Sequence, residues 1–136
     1  MAITSRRLTL DEFLDLPEEK PALEYADGVV TQKVAPQAFH GRIQYKFAEM
    51  VNLYGEPRRL AMAFTETRST FGGRSFVPDV GILRWTRLPR QADGKLINVF
   101  RIPWDVAVEV VSPDQRRRDL EESASGTSPT ASNSHS

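Results

Sequence analysis

The sequence of 136 residues contains no cysteine, which excludes disulfide staples, thiolate-ligated zinc clusters and a cysteine nucleophile. It also lacks any long apolar run. No window approaches the length needed to cross a bilayer, and Met1–Leu10 carries two arginines without an apolar stretch. A soluble, cytoplasmic protein with no membrane partner is therefore expected. A charge excess of one sign is missing as well, because 18 basic residues balance 18 acidic ones and bulk charge says nothing about partners. The balance is uneven along the chain: residues 1–33 hold four basic and seven acidic side chains, residues 84–118 eight basic and four acidic. A locally basic surface able to meet phosphates remains open.

The length suits one domain with a core of its own. Thr9-Leu10-Asp11-Glu12 has the form of a capping box and predicts a short amphipathic helix that ends by Pro17. Asp27-Gly28, between Leu23–Ala26 and Val29–Val34, predicts a two-residue hairpin turn. From Phe39 to Tyr54, the apolar Ile43, Phe47, Met50, Val51 and Tyr54 recur at helical spacing, with Arg42, Lys46 and Glu49 on the other side; Gly55 and Pro57 stop the helix. Strands are predicted over Arg59–Thr67, Ser75–Leu83 and Trp104–Val111, the last as the central strand. Phe71-Gly72-Gly73-Arg74 is a turn, and Pro78 implies an edge, a bulge or an unpaired amide. Arg84–Ile102 reads as an excursion containing at most a short strand over Leu96–Val99. Ser112-Pro113-Asp114-Gln115 starts a second helix, and Ser123–Ser136, without an apolar face, reads as a disordered tail. The expected organisation is one domain over residues 1–122 followed by that tail.

Two acids stand out because their neighbours are apolar: Asp79 in Phe76-Val77-Pro78-Asp79-Val80 and Glu109 in Val106–Val111. An ionised carboxyl buried without a partner is costly, so these strands call for a cation. If the strands are neighbours, the two carboxylates reach one hard cation, and Mg²⁺ favours such oxygens together with water and phosphate oxygens. Phosphodiester hydrolysis is the natural use of a cation so placed.

A Pro-Asp strand followed by a Glu-bearing strand resembles the PD-(D/E)xK nuclease superfamily. Closer is the restriction endonuclease family called Uma-two, which is similar in its opening helix and proline (Leu10 to Pro17), in a Glu four residues before a hairpin Gly (Glu24 to Gly28) and in a Pro and His ahead of the main helix (Pro36 to His40). The likeness continues through Val77-Pro78-Asp79-Val80 and Val108-Glu109-Val110-Val111-Ser112-Pro113, so it runs in order from Leu8 to Leu120. The resemblance implies an α/β fold with a restriction-endonuclease-like mixed β-sheet flanked by helices, to which the N-terminal helix and hairpin are added. It implies a metal-dependent DNA endonuclease in which Asp79 and Glu109 bind Mg²⁺, or Mn²⁺ in its place, and Glu24 and His40 complete the catalytic set.

The chain departs from the family in one respect that matters. The superfamily pattern places a lysine two residues after the second acid, where Val111 stands, and the family's alternative place on the next helix reads Glu121-Glu122-Ser123. Such a lysine is typically worth about two to four powers of ten in rate. The family's later helix and closing aromatic strand are also absent, so a truncated member with an exposed sheet edge, prone to form a homodimer, is expected.

Structural explanations compete with each functional one. Asp79 after a proline also suits a turn, and Glu109 also suits an ion pair with Arg42, Lys46 or a later arginine. Glu24 also suits an exposed cross-strand pair and His40 a helix-start surface group, while Arg116–Arg118 suits a solvated face as well as a phosphate contact. The alternative function is a catalytically inactive DNA-binding or protein-interaction domain.

Overall fold

The computed structural model describes residues 7–111. The helix expected from Ser112, the Arg116–Arg118 run, the tail and its boundary at residue 122 lie outside them. Helix α1 (Leu10–Leu14) begins at the capping box: Thr9 Oγ1 accepts from the Glu12 amide at 3.1 Å, and Glu12 Oε1 accepts from the Thr9 amide at 2.9 Å. Strands β1 (Leu23–Ala26) and β2 (Val29–Gln32) form the hairpin, and both turn residues have positive φ, 54° at Asp27 and 85° at Gly28, as this two-residue turn requires. Phe13 packs on Tyr25 with ring centroids 5.3 Å apart, and Leu8, Leu23 and Val30 complete this first core.

The stretch Ser75–Leu83 is not one strand. It divides into β5 (Arg74–Phe76) and β6 (Val80–Arg84), which belong to different sheets, with Val77-Pro78-Asp79 as the junction. Pro78 has no N–H to give a ladder, so the break falls where the chain has least to lose. β5 pairs with β4 (Ser69–Phe71) and with β1, giving a four-stranded sheet in the order β2-β1-β5-β4. β6 lies between β3 (Ala61–Thr65) and β7 (Val106–Val108) in a three-stranded sheet. Both ladders are antiparallel throughout, so the fold is α/β with its strands shared between two antiparallel sheets.

Among the described residues β7 is an edge strand, not a central one, and Val106 is 48% exposed. The central position belongs to β6, whose Val80 and Leu83 are fully buried. Helix α2 (Ala38–Gly55) covers one face of this sheet, where Ala48 meets Ala63 and Val80. Its inward side keeps only part of the expected row of large residues: Phe47 and Val51 pack against that cluster, whereas Ile43, Met50 and Tyr54 are exposed. Small residues allow the close approach instead: a Cβ on Gly55 would lie 2.7 Å from the Ala61 carbonyl. Asn52 fastens the pair by giving its Nδ2 to the Ala63 carbonyl and accepting the Ala63 amide at Oδ1, at 3.1 and 2.8 Å.

On the opposite face the Arg84–Ile102 excursion folds back over Leu83, with Leu88 and Phe100 buried against it and both Trp85 and Trp104 packed alongside. The expected Leu96–Val99 strand is replaced by single bridges, Arg90 to Leu96 and Ser69 to Phe100, and by a 3₁₀ turn at Trp85–Arg87. No helix among the described residues is long and apolar enough to cross a membrane.

Gly81 lies directly beneath Trp104, where an added Cβ would come within 2.5 Å of the indole. Gly81→Ala is expected to destabilise the fold by about 1–3 kcal/mol by forcing the ring outward. A lower urea midpoint at unchanged slope, together with altered tryptophan emission, is the measurement that checks it.

Candidate active site

The ladder between β6 and β7 pairs Ile82 with Val106, Gly81 with Ala107 and Val80 with Val108. One step further along, Asp79 and Glu109 follow at the same end of the two strands. Asp79 is buried, 4% exposed, and both of its oxygens are engaged. Oδ2 accepts from the Val110 amide at 2.7 Å and contacts His40 Nε2 at 3.0 Å, while Oδ1 lies 3.1 Å from Lys33 Nζ. A carboxylate only accepts, so in a neutral His40 ring Nε2 carries the proton and Nδ1, buried and without a partner among the described residues, does not.

Lys33 comes from the residue just after β2 and is the centre of the cluster. Its ammonium donates to the Val77 carbonyl at 2.6 Å and to Glu109 Oε1 at 2.9 Å, in addition to its contact with Asp79. Three N–H groups thus face three oxygens, and the side chain is 17% exposed. Glu24 does not touch the acid pair in the same way. Its Oε2 accepts the Val77 amide at 2.8 Å, so the two strands' ends hold both polar groups of the Val77 residue, Glu24 its N–H and Lys33 its C=O. His40 is the third residue of α2 and reaches Asp79 from the helix side.

The electrostatics follow from this crowding. Burial pushes the Glu24 carboxyl up, against the charge of Lys33 and the hydrogen bond from Val77. Loss of water, opposed by Lys33 and reinforced by Asp79 and Glu24, pushes Glu109 up to about 7; its side chain remains 45% exposed, so water screens part of that rise. Burial pulls Lys33 down, but Glu109, Glu24 and Asp79 together outweigh it and leave the ammonium above its ordinary value. The cluster is an acid-rich pocket closed around one cation.

A family model described as "Putative restriction endonuclease", Uma2, matches residues 10–125. The chain belongs to the Uma2 family. It is similar to a crystal structure described as a "putative nuclease belonging to DUF820" from Anabaena variabilis ATCC 29413, with 43% sequence identity and a TM-score of 0.78 over 85% of this chain. The match spans 65% of that longer chain. No curated protein matches.

For this Uma2 member the geometry gathers all four residues singled out in the sequence: Asp79, Glu109 and His40 share direct contacts with one another or with Lys33, and Glu24 holds the adjoining peptide. The ion pair of Glu109 is with Lys33, not with Arg42 or Lys46. Lys33 was the residue to find. Its signal is hairpin parity: Leu23 pairs with Gln32 and Glu24 with Thr31, so Lys33 falls on the same face as Glu24, diagonally across the ladder. Two further polar residues adjoin the site, Glu66, whose amide donates to the Asp79 carbonyl at 3.2 Å, and Gln44, which donates to Glu66 at 2.9 Å. The positions 121–123, the family's alternative place for a lysine, lie outside the described residues.

The carboxyl of Glu109 has an ordinary value of 4.5 and is raised in the fold. The folded state therefore binds this proton more tightly than the unfolded chain between 4.5 and about 7, and stability from this group is present below that window and lost as pH rises through it. Glu109→Gln is expected to flatten the fall of Tm between pH 5 and pH 8, read from thermal melts of both proteins across that range.

Proposed function

We propose that this protein is a metal-dependent endonuclease that hydrolyses DNA phosphodiester bonds, with Mg²⁺, or Mn²⁺ in its place, as the cofactor. The observation that carries the reading is the set of three oxygens, from Asp79, Glu109 and the Val77 carbonyl, that already surrounds a cation, the Lys33 ammonium. These hard donors fit Mg²⁺, which is commonly held by one or two carboxylates and completes its shell with water and substrate phosphate oxygens. Among the described residues no group of three or more histidine, cysteine, aspartate or glutamate side chains forms a metal cage, so the proposed site has two carboxylates and a carbonyl as its protein donors.

Asp79 and Glu109 would hold the ion. Bound there, Mg²⁺ supplies Lewis acidity toward a phosphodiester and charge to offset that of the phosphate. His40 and the Val110 amide fix the carboxylate plane of Asp79 by engaging Oδ2, which leaves Oδ1 to face the pocket. Glu24 acts as a positioning residue by holding the Val77 peptide. Lys33, which stays protonated beside the acids, offsets their charge at the pocket's open side while no metal is bound.

Incubation of supercoiled plasmid with the full chain in millimolar Mg²⁺ or Mn²⁺ tests the reading. Nicked and linear products are expected, with Asp79→Asn and Glu109→Gln each at least about 100-fold slower. Salt-sensitive DNA binding that survives both substitutions, without cutting under either cation, supports instead a catalytically inactive DNA-binding domain.

A further inference from the structure

Asp79 offers a metal only one oxygen. Oδ2 already takes the His40 Nε2 contact at 3.0 Å and the Val110 amide at 2.7 Å, so Oδ1 is the remaining donor, and Lys33 Nζ stands 3.1 Å from it. Glu109 presents Oε1 to the same ammonium at 2.9 Å. A divalent ion bridging these two oxygens would lie within a few ångströms of Nζ, where two positive charges in a partly dry pocket repel strongly. We propose that Lys33 is a tethered placeholder cation: in the metal-free protein its ammonium occupies the divalent-cation position between Asp79 and Glu109, and it sets the site's metal affinity by competing for the same oxygens.

This inference rests on the metal-dependent reading and goes beyond it, since it gives the hairpin control over when the site is loaded. The residue is built for the exchange. Lys33 follows β2 on the four-stranded sheet, whereas Asp79 and Glu109 stand at the end of the three-stranded one, so the ammonium can leave the acid pair without breaking either ladder. The ammonium between Asp79 and Glu109 offsets their mutual repulsion, so its removal is expected to weaken the metal-free site.

The test measures Mn²⁺ binding to the full chain by electron paramagnetic resonance, with thermal melts in parallel, for the natural protein, Lys33→Met and Asp79→Asn. Lys33→Met keeps the apolar stem and removes the charge. It is expected to bind Mn²⁺ about tenfold or more tightly than the natural chain, to melt at lower temperature without metal, and to recover more on adding Mn²⁺ than the natural chain does. If Lys33→Met does not fold without metal, refolding in Mn²⁺ but not in NaCl of equal ionic strength supports the proposal, and failure in both overturns it. Equal or weaker Mn²⁺ binding by a folded Lys33→Met, while Asp79→Asn abolishes binding, overturns the placeholder role and leaves the metal-dependent reading standing. Absence of Mn²⁺ binding by the natural chain and Lys33→Met alike overturns both.

Discussion

The burial of a single carboxylate, Asp79, is the constraint around which the rest is arranged. At 4% exposure it retains almost no water, and an ionised group in that position is tolerated only when its oxygens find partners. The partners come from three separate places: Lys33 beyond the hairpin, His40 in the first turn of α2, and the Val110 amide just after β7. Satisfying one side chain therefore fixes the hairpin, the helix and the edge strand relative to one another. The junction that carries Asp79 is held in the same way, with the Val77 amide on Glu24 and the Val77 carbonyl on Lys33. Removing one member would leave a charge or a peptide group buried without a partner, a loss larger than the net worth of any one bond.

The two-sheet arrangement explains why the acids meet. Had Ser75–Leu83 continued as one strand, Asp79 would have sat in mid-ladder with its side chain committed to a sheet face. The break at Pro78 puts it at the start of β6 instead, beside the end of β7 and one residue from the crossing between sheets. There the side chain escapes strict alternation and turns to meet groups from both layers. Glu66, at the end of β3 with φ of 47°, marks the same boundary on the other side of β6. The end of the three-stranded sheet is thus a place where ladder hydrogen bonds stop and side chains take over.

How much of this was legible in the sequence varied with the range of the interaction. The capping box at Thr9, the Asp27-Gly28 turn and the extent of α2 are local, and the residues that form them are adjacent in the chain. The odd presence of Asp79 and Glu109 among valines was also legible, because burying a charge is costly wherever the strand ends up. What escaped was decided by packing between distant segments. Helical periodicity in α2 marks Ile43, Phe47, Met50, Val51 and Tyr54 as the inner face; Phe47 and Val51 do pack on the core, but close approach to β3 favours Ala48 and Gly55, and Ile43, Met50 and Tyr54 are exposed. The valine run at 106–111 suggested a central strand, but a run of apolar residues does not say how many neighbours a strand has, and β7 has one among the described residues. Lys33 is not legible from the acids alone, because several distant basic residues, Arg42 and Lys46 among them, suit Glu109 equally well in sequence, and only the packing of the hairpin against the ends of β6 and β7 selects the one 76 residues before it.

Size gives the last step. The oxygens around Lys33 lie 2.6 to 3.1 Å from Nζ, distances natural for an ammonium, while Mg²⁺ holds oxygens at about 2.0–2.1 Å. If Mg²⁺ is the cofactor, as proposed, the site would have to contract by about 0.5–1 Å around it, and the two acids are unequally placed to do so. Asp79 is pinned at Oδ2 by helix and backbone, so it sets a fixed wall. Glu109 is 45% exposed at the end of an edge strand, and among the described residues its side chain bonds only to the ammonium that would have to leave. The adjustable arm of the pocket is therefore Glu109, and the cost of closing it is set by a flexible side chain near water, not by the buried frame that holds Asp79.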